Sequence, residues 1–142
     1  MNDNSDARDF AEGFIYDHLR PVIAKTVEMY RGSRPKEKDP DFYVSILTED
    51  ETEVQPGSGV WVLNQTIVLV CALVDREAAD HVRYRSQIRH GLMTLTAIQN
   101  VTQDLKGRWY GTFVSSIQNA NKMDRYGDVF YLETRARAII SS

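Results

Sequence analysis

Residues 60–74, VWVLNQTIVLVCALV, form one β-prone run whose far half is apolar on both faces. Side chains alternate along a strand, so Val68, Val70, Ala72 and Val74 point one way and Ile67, Leu69, Cys71 and Leu73 the other. An antiparallel sheet commonly meets water on one side, and its strands then read apolar in, polar out. Here the polar alternate is missing. The strand has to be covered by a second layer of its own domain or by another subunit.

A chain of 142 residues fits a single domain, 1–142, that can bury a core without staples. With 42% hydrophobic and 26% charged residues and a net charge of −3, it is neither a disordered tail nor a protein drawn by overall charge onto DNA or anionic lipid. The one cysteine, Cys71, has no partner within the chain and reads as a buried, inert thiol or one kept in a reducing compartment. No segment reaches the roughly 18 consecutive apolar residues of a membrane helix, and the polar start MNDNSDARD is unlike a signal peptide. The expectation is a soluble protein, cytoplasmic at synthesis, that does not engage membranes.

Residues 1–7 read as a frayed start. From Arg8 to Arg31, Phe10, Phe14, Ile15, Leu19, Val22, Ile23, Val27 and Tyr30 recur at three- and four-residue steps, which predicts an amphipathic helix kinked or split at Pro21 and stopped at Gly32. Residues 32–41 form a linker with two prolines, Phe42–Leu47 a strand, and residues 48–59 an acidic loop leading into the long strand. Asp75 can cap a second helix, opened by Arg76 and Glu77, whose stripe is His81, Tyr84, Ile88, Leu92, Leu95 and Ile98. A turn at 104–108 precedes two more strands, 110–118 and 128–140. In the last, Phe130, Leu132, Thr134, Ala136, Ala138 and Ile140 share the core face. The predicted fold is α+β in the order α-β-β-α-β-β: a mostly antiparallel sheet of about four strands with two main helices packed on one side.

Motifs for catalysis or metal binding are not legible. His81 and His90 are nine residues apart on one helix, half a turn out of phase, and cannot share a metal; His18 stands alone. PGSG at Pro56 lacks the lysine and following helix of a phosphate loop. Glu49, Asp50, Glu51 and Glu53 lack the spacing of a calcium loop and read as a solvated charge run that can dock on a partner's basic patch. Arg83, Arg85 and Arg89 around Tyr84, and Arg108-Trp109-Tyr110, have the composition of a nucleic-acid track, but also of a solvated helix face with aromatics reaching the core. Glu133, Arg135 and Arg137 alternate outward on the last strand and can form cross-strand or intersubunit ion pairs.

The layout resembles the tail terminator, or tail completion, proteins of long-tailed bacteriophages. The likeness runs from Phe10 to Ile140 through the N-terminal helix, the linker into FYVSIL, the strand ending VLVCALVD, the helix EAADHVRYRSQIRHGLMTLTAI and the closing strand YLETRARAII. It implies a non-enzymatic virion protein without cofactor, assembled in the host cytoplasm as a homohexameric ring. Such a ring caps the tail tube at its head-proximal end, stops polymerisation and presents a docking surface to the neck or head connector. DNA can pass non-specifically through it. On this resemblance Glu49, Asp50, Glu51 and Glu53, with Arg34, Lys36 and Lys38 of the linker, are expected to contact the axial partners. Val68, Val70, Glu133, Arg135 and Arg137 are expected near subunit contacts. Two other readings are a neck or head-closure joining protein, and a small α+β enzyme or ligand-binding domain around Tyr84, His81 and Cys71.

Overall fold

The computed structural model describes residues 4–38, 40–72, 79–103, 106–119 and 125–138. The elements are α1 (Asn4–Leu19), β1 (Glu28–Arg31), β2 (Phe42–Glu53), β3 (Trp61–Ala72), α2 (Ala79–Thr96), β4 (Val101–Gln103), β5 (Gly107–Asn119) and β6 (Arg125–Ala138). They build one six-stranded sheet in the order β1-β2-β3-β6-β5-β4, curled into a half-barrel. Every neighbouring pair is antiparallel except β1 with β2. The four-stranded α-β-β-α-β-β expectation is therefore corrected to α-β-β-β-α-β-β-β. The added strands are the short edges β1 and β4.

The first edge strand comes from the segment read as the end of a helix. Ala7, Phe10, Ala11, Ile15 and Leu19 of α1 are buried at helical spacing, and the helix stops at Leu19. Pro21 lacks a backbone donor and disfavours helical geometry in the residue before it, so the chain breaks here rather than kinks. Arg20 secures the break: its guanidinium donates to the carbonyls of Val27 at 3.0 Å, Ala24 at 2.8 Å and Ile23 at 3.2 Å. Beyond it Val27 and Met29 are buried while Glu28 and Arg31 are exposed, the period of a strand. The run of residues 23, 27 and 30 satisfies a helical stripe as well, which is why spacing alone misreads it. Residues 4–7 are helical rather than frayed.

The acidic segment is likewise not a loop. Asp50–Glu53 pair with Trp61–Asn64 in the β2–β3 hairpin, after a bulge between Thr48 and Asp50. The connection shrinks to residues 54–60, where Gly57 and Gly59 take φ of 85° and 74° that side chains rarely adopt. Glu53 accepts a hydrogen bond from the Gly59 backbone N–H at 2.8 Å, which draws the turn closed.

One face of the sheet carries the core. Leu63, Ile67, Leu69 and Cys71 of β3 pack with Val44 and Ile46 of β2, Phe130, Leu132 and Ala136 of β6, and the inner stripes of both helices. On α2 that stripe is Tyr84, Ile88, Leu92 and Leu95, with Ile98 partly buried beyond it. The capping residues Asp75, Arg76 and Glu77 lie outside the described residues, as do Leu73, Val74, Asp104, Ile139 and Ile140. At the head of β5 a Cβ on Gly107 would sit 2.5 Å from the Arg137 carbonyl oxygen and 2.8 Å from the Phe10 ring. Gly107→Ala is expected to cost about 1–3 kcal/mol of stability through overpacking, read as a lower urea midpoint with an unchanged slope.

Candidate functional site

The face of the sheet turned away from the helices is the first candidate surface. Strand register assigns to it Tyr43, Ser45 and Leu47 of β2, Val62, Asn64, Thr66, Val68 and Val70 of β3, and Val129, Tyr131, Glu133, Arg135 and Arg137 of β6. Val68 and Val70 are half-buried, in contrast to the fully buried Ile67 and Leu69 one residue away. Among the described residues both helices pack on the other face. The second apolar side of β3 thus has no helical layer over it.

Charge is divided across this face. On β6, Arg135 and Arg137 are exposed, and Arg137 stands opposite Arg108 of β5. Neither Arg135 nor Arg137 is in an ion pair with the described residues. Arg108 donates to Thr102 Oγ1 at 3.3 Å and lies 5.2 Å from the Tyr110 ring centroid. On β2 the acids split by side. Glu49 and Asp50 are exposed, and Glu49 accepts a long hydrogen bond from Thr66 Oγ1 at 3.4 Å. Glu51 turns inward and accepts from Arg8 Nε at 2.6 Å, which raises the Arg8 guanidinium above its ordinary value, through the hydrogen bond first and the opposite charge second.

Both ends of the sheet leave strand edge unpaired. β1 pairs only with Tyr43–Ile46, so among the described residues β2 has a free edge from Leu47 to Glu53. β4 pairs only with Gly107–Trp109, so among the described residues β5 has one from Gly111 to Asn119. Along the β5 edge run two adjoining grooves that share Thr96 and Phe113. The first, of about 400 Å³, is lined by Met93, Phe113 and Ile117, which are 67%, 52% and 45% exposed. The second, of about 510 Å³, is lined by Tyr110, Gly111, Glu133 and Arg135. Free edges and contiguous exposed apolar residues mark sites of association. Sequence reading identified this strand but not its edge. Bulges between Trp109 and Gly111 and between Val114 and Ser116 break the alternation, and the second puts Phe113 opposite Glu133 and Ile117 opposite Phe130, on different faces of the strand.

The linker sits elsewhere. Arg34 lies 5.6 Å from the Tyr43 ring centroid and hydrogen-bonds the Lys38 carbonyl, while Lys36 and Lys38 are exposed. Tyr43 and Asp50 are seven residues apart on one strand, or about 20 Å, so the linker and the acidic run are not brought together. Tyr30, beside Tyr43, has its phenol pushed up by burial, with the Glu28 charge adding to it.

The remaining candidates serve the fold. His81 is buried against Asp128 at 3.0 Å, His18 reaches Thr94 Oγ1 at 2.8 Å, and His90 is exposed on α2. Tyr84 is 2% exposed and packs edge-on to Phe42, with Arg83 over its ring; Trp109 is fully buried on Phe14. Neither ring can stack on a base. No group of His, Cys, Asp and Glu among the described residues can hold a metal ion. No helix is long and apolar enough to cross a membrane among these residues.

No protein-family model and no curated protein matches the chain. Among solved structures it is similar to a chain of the virion of a native gene transfer agent particle, with a TM-score of 0.60 at 17% identity, over 87% of this chain and 91% of that one. That likeness is one of fold.

Proposed function

We propose that this protein is a non-enzymatic structural component of a phage virion, the ring-forming terminator that caps the tail tube. The observation that supports it best is the fold shared, nearly end to end, with a chain of a gene transfer agent virion. The unlayered sheet face and the two free edges suit a subunit that is completed by neighbours rather than by ligands. In this reading about six copies close by rotation through a heterologous contact, which leaves two unlike ring faces. One occupies the growing end of the tube and stops polymerisation. The other receives the head connector, and the exposed Lys36 and Lys38 of the linker serve as an axial contact.

The test is absolute mass by light scattering across a concentration series, alone and with purified tail tubes, followed by negative-stain imaging. A ring of about six subunits seated at one tube end is expected. Binding to the connector but never to the tube would identify a neck or head-closure protein. A monomer under both conditions would overturn the ring.

A further inference from the structure

The two free edges occupy the same rows of the sheet. Tracing register across β2, β3, β6 and β5, Leu47 lies in the row of Thr66, Tyr131 and Ser116. Asp50 lies in the row of Asn64, Glu133 and Phe113, and Thr52 in that of Val62, Arg135 and Gly111. The unpaired stretch of β2 and the unpaired stretch of β5 are thus level, on opposite sides of one sheet. They also run in opposite directions, because three antiparallel pairings separate them. A rotation that carries one copy beside the next without a shift along the strands brings Leu47–Thr52 of one and Gly111–Ser116 of the other together as an antiparallel pair, bounded by β1 in the rows of Ile117–Asn119 and by β4 in the row of Glu53.

Their charges complement one another. The β2 edge carries the exposed Glu49 and Asp50, while Arg135 and Arg137 stand on β6, one strand in from the β5 edge, with Glu133 beside Arg135 in the second groove. We infer that copies of this chain join head to tail through the sheet itself, the β2 edge of one copy adding to the β5 edge of the next and its carboxylates meeting the arginine cluster. The occupant of the β5 groove is a second copy of this chain. The inference rests on the ring reading above and assigns the acidic run to a lateral contact, as its place on an edge strand allows, instead of an axial one. The carboxylates along the β2 edge also discourage pairing of two β2 edges, which favours a closed heterologous assembly over dimers joined there.

Charge reversal tests this contact. Glu49→Lys with Asp50→Lys, and separately Arg135→Glu with Arg137→Glu, are each expected to raise the concentration needed for assembly by about tenfold or more. Mixing the two variants, or combining all four substitutions in one chain, is expected to restore assembly, which a misfolded variant cannot do. Wild-type assembly with reversals that change nothing would overturn the edge contact while the ring reading stands. Loss without rescue would overturn the pairing of these charges. A wild-type chain that stays monomeric with and without tubes would remove both readings.

Discussion

Asp128→Ala is expected to destabilise the fold by about 3–5 kcal/mol, a large part of the 5–15 kcal/mol typical of a small domain. The carboxylate is 1% exposed and is approached by three groups from two elements. His81 Nε2 of α2 is at 3.0 Å, Asn119 Nδ2 of β5 donates at 2.6 Å, and Arg85 Nη1 approaches to 4.0 Å. Removing the acceptor takes a hydrogen bond from the buried His81 ring and opens a hole between α2 and the sheet, whereas the exposed Asn119 can turn to water. Urea unfolding followed by far-UV circular dichroism measures the loss. Asp128→Asn keeps the shape and one acceptor and is expected to cost less. A loss below about 1 kcal/mol for alanine would show that the cluster does not hold α2 to the sheet.

Trp109→Ala is expected to cost a similar amount, about 3–5 kcal/mol, by a different route. The indole is fully buried, stacked on Phe14 with ring centroids 4.3 Å apart and planes 12° from parallel, and its Nε1 donates to the Ile98 carbonyl at 3.2 Å. Alanine there leaves a cavity under α1 and takes a hydrogen bond from the carbonyl of the partly buried Ile98, just after α2. Trp109→Phe retains the stacking and is expected to lose less than half as much. Thermal unfolding monitored by circular dichroism compares the two, and equal losses would mean that the hydrogen bond rather than the ring carries the effect.

What could be read from residue order is what short-range periodicity controls. The alternation of Phe130, Leu132, Thr134 and Ala136 gave the core face of β6, and the stripe from His81 to Leu95 gave the buried side of α2. Periodicity failed where two periods fit the same few residues, as at Val27–Tyr30, or where pairing overrides propensity. Thr48–Glu53 has a poor strand composition, yet the β-prone Trp61–Asn64 opposite holds it in the sheet. β4 has only three residues and follows Asn100 at φ 57°, too little for a pattern. At the surface, outward placement of Arg135 and Arg137 was legible because it is local. The level alignment of two free edges was not, because it depends on register summed over four strands.

The place of β3 beside β6 has a cost during synthesis. β3 ends at Ala72 and its partner begins at Arg125, with α2, β4 and β5 made in between. At ordinary rates of translation the strand emerges roughly 3–10 seconds before the strand that will flank it. For that interval the apolar stretch Ile67–Cys71 is an open edge on a nascent chain, short, nearly uncharged and rich in β-branched residues, the kind of segment that nucleates aggregates. Synonymous codon choice between Ala72 and Arg125 therefore sets how long each new chain is exposed to its neighbours on the same polysome, and slowing that stretch should lower soluble yield without altering the finished protein.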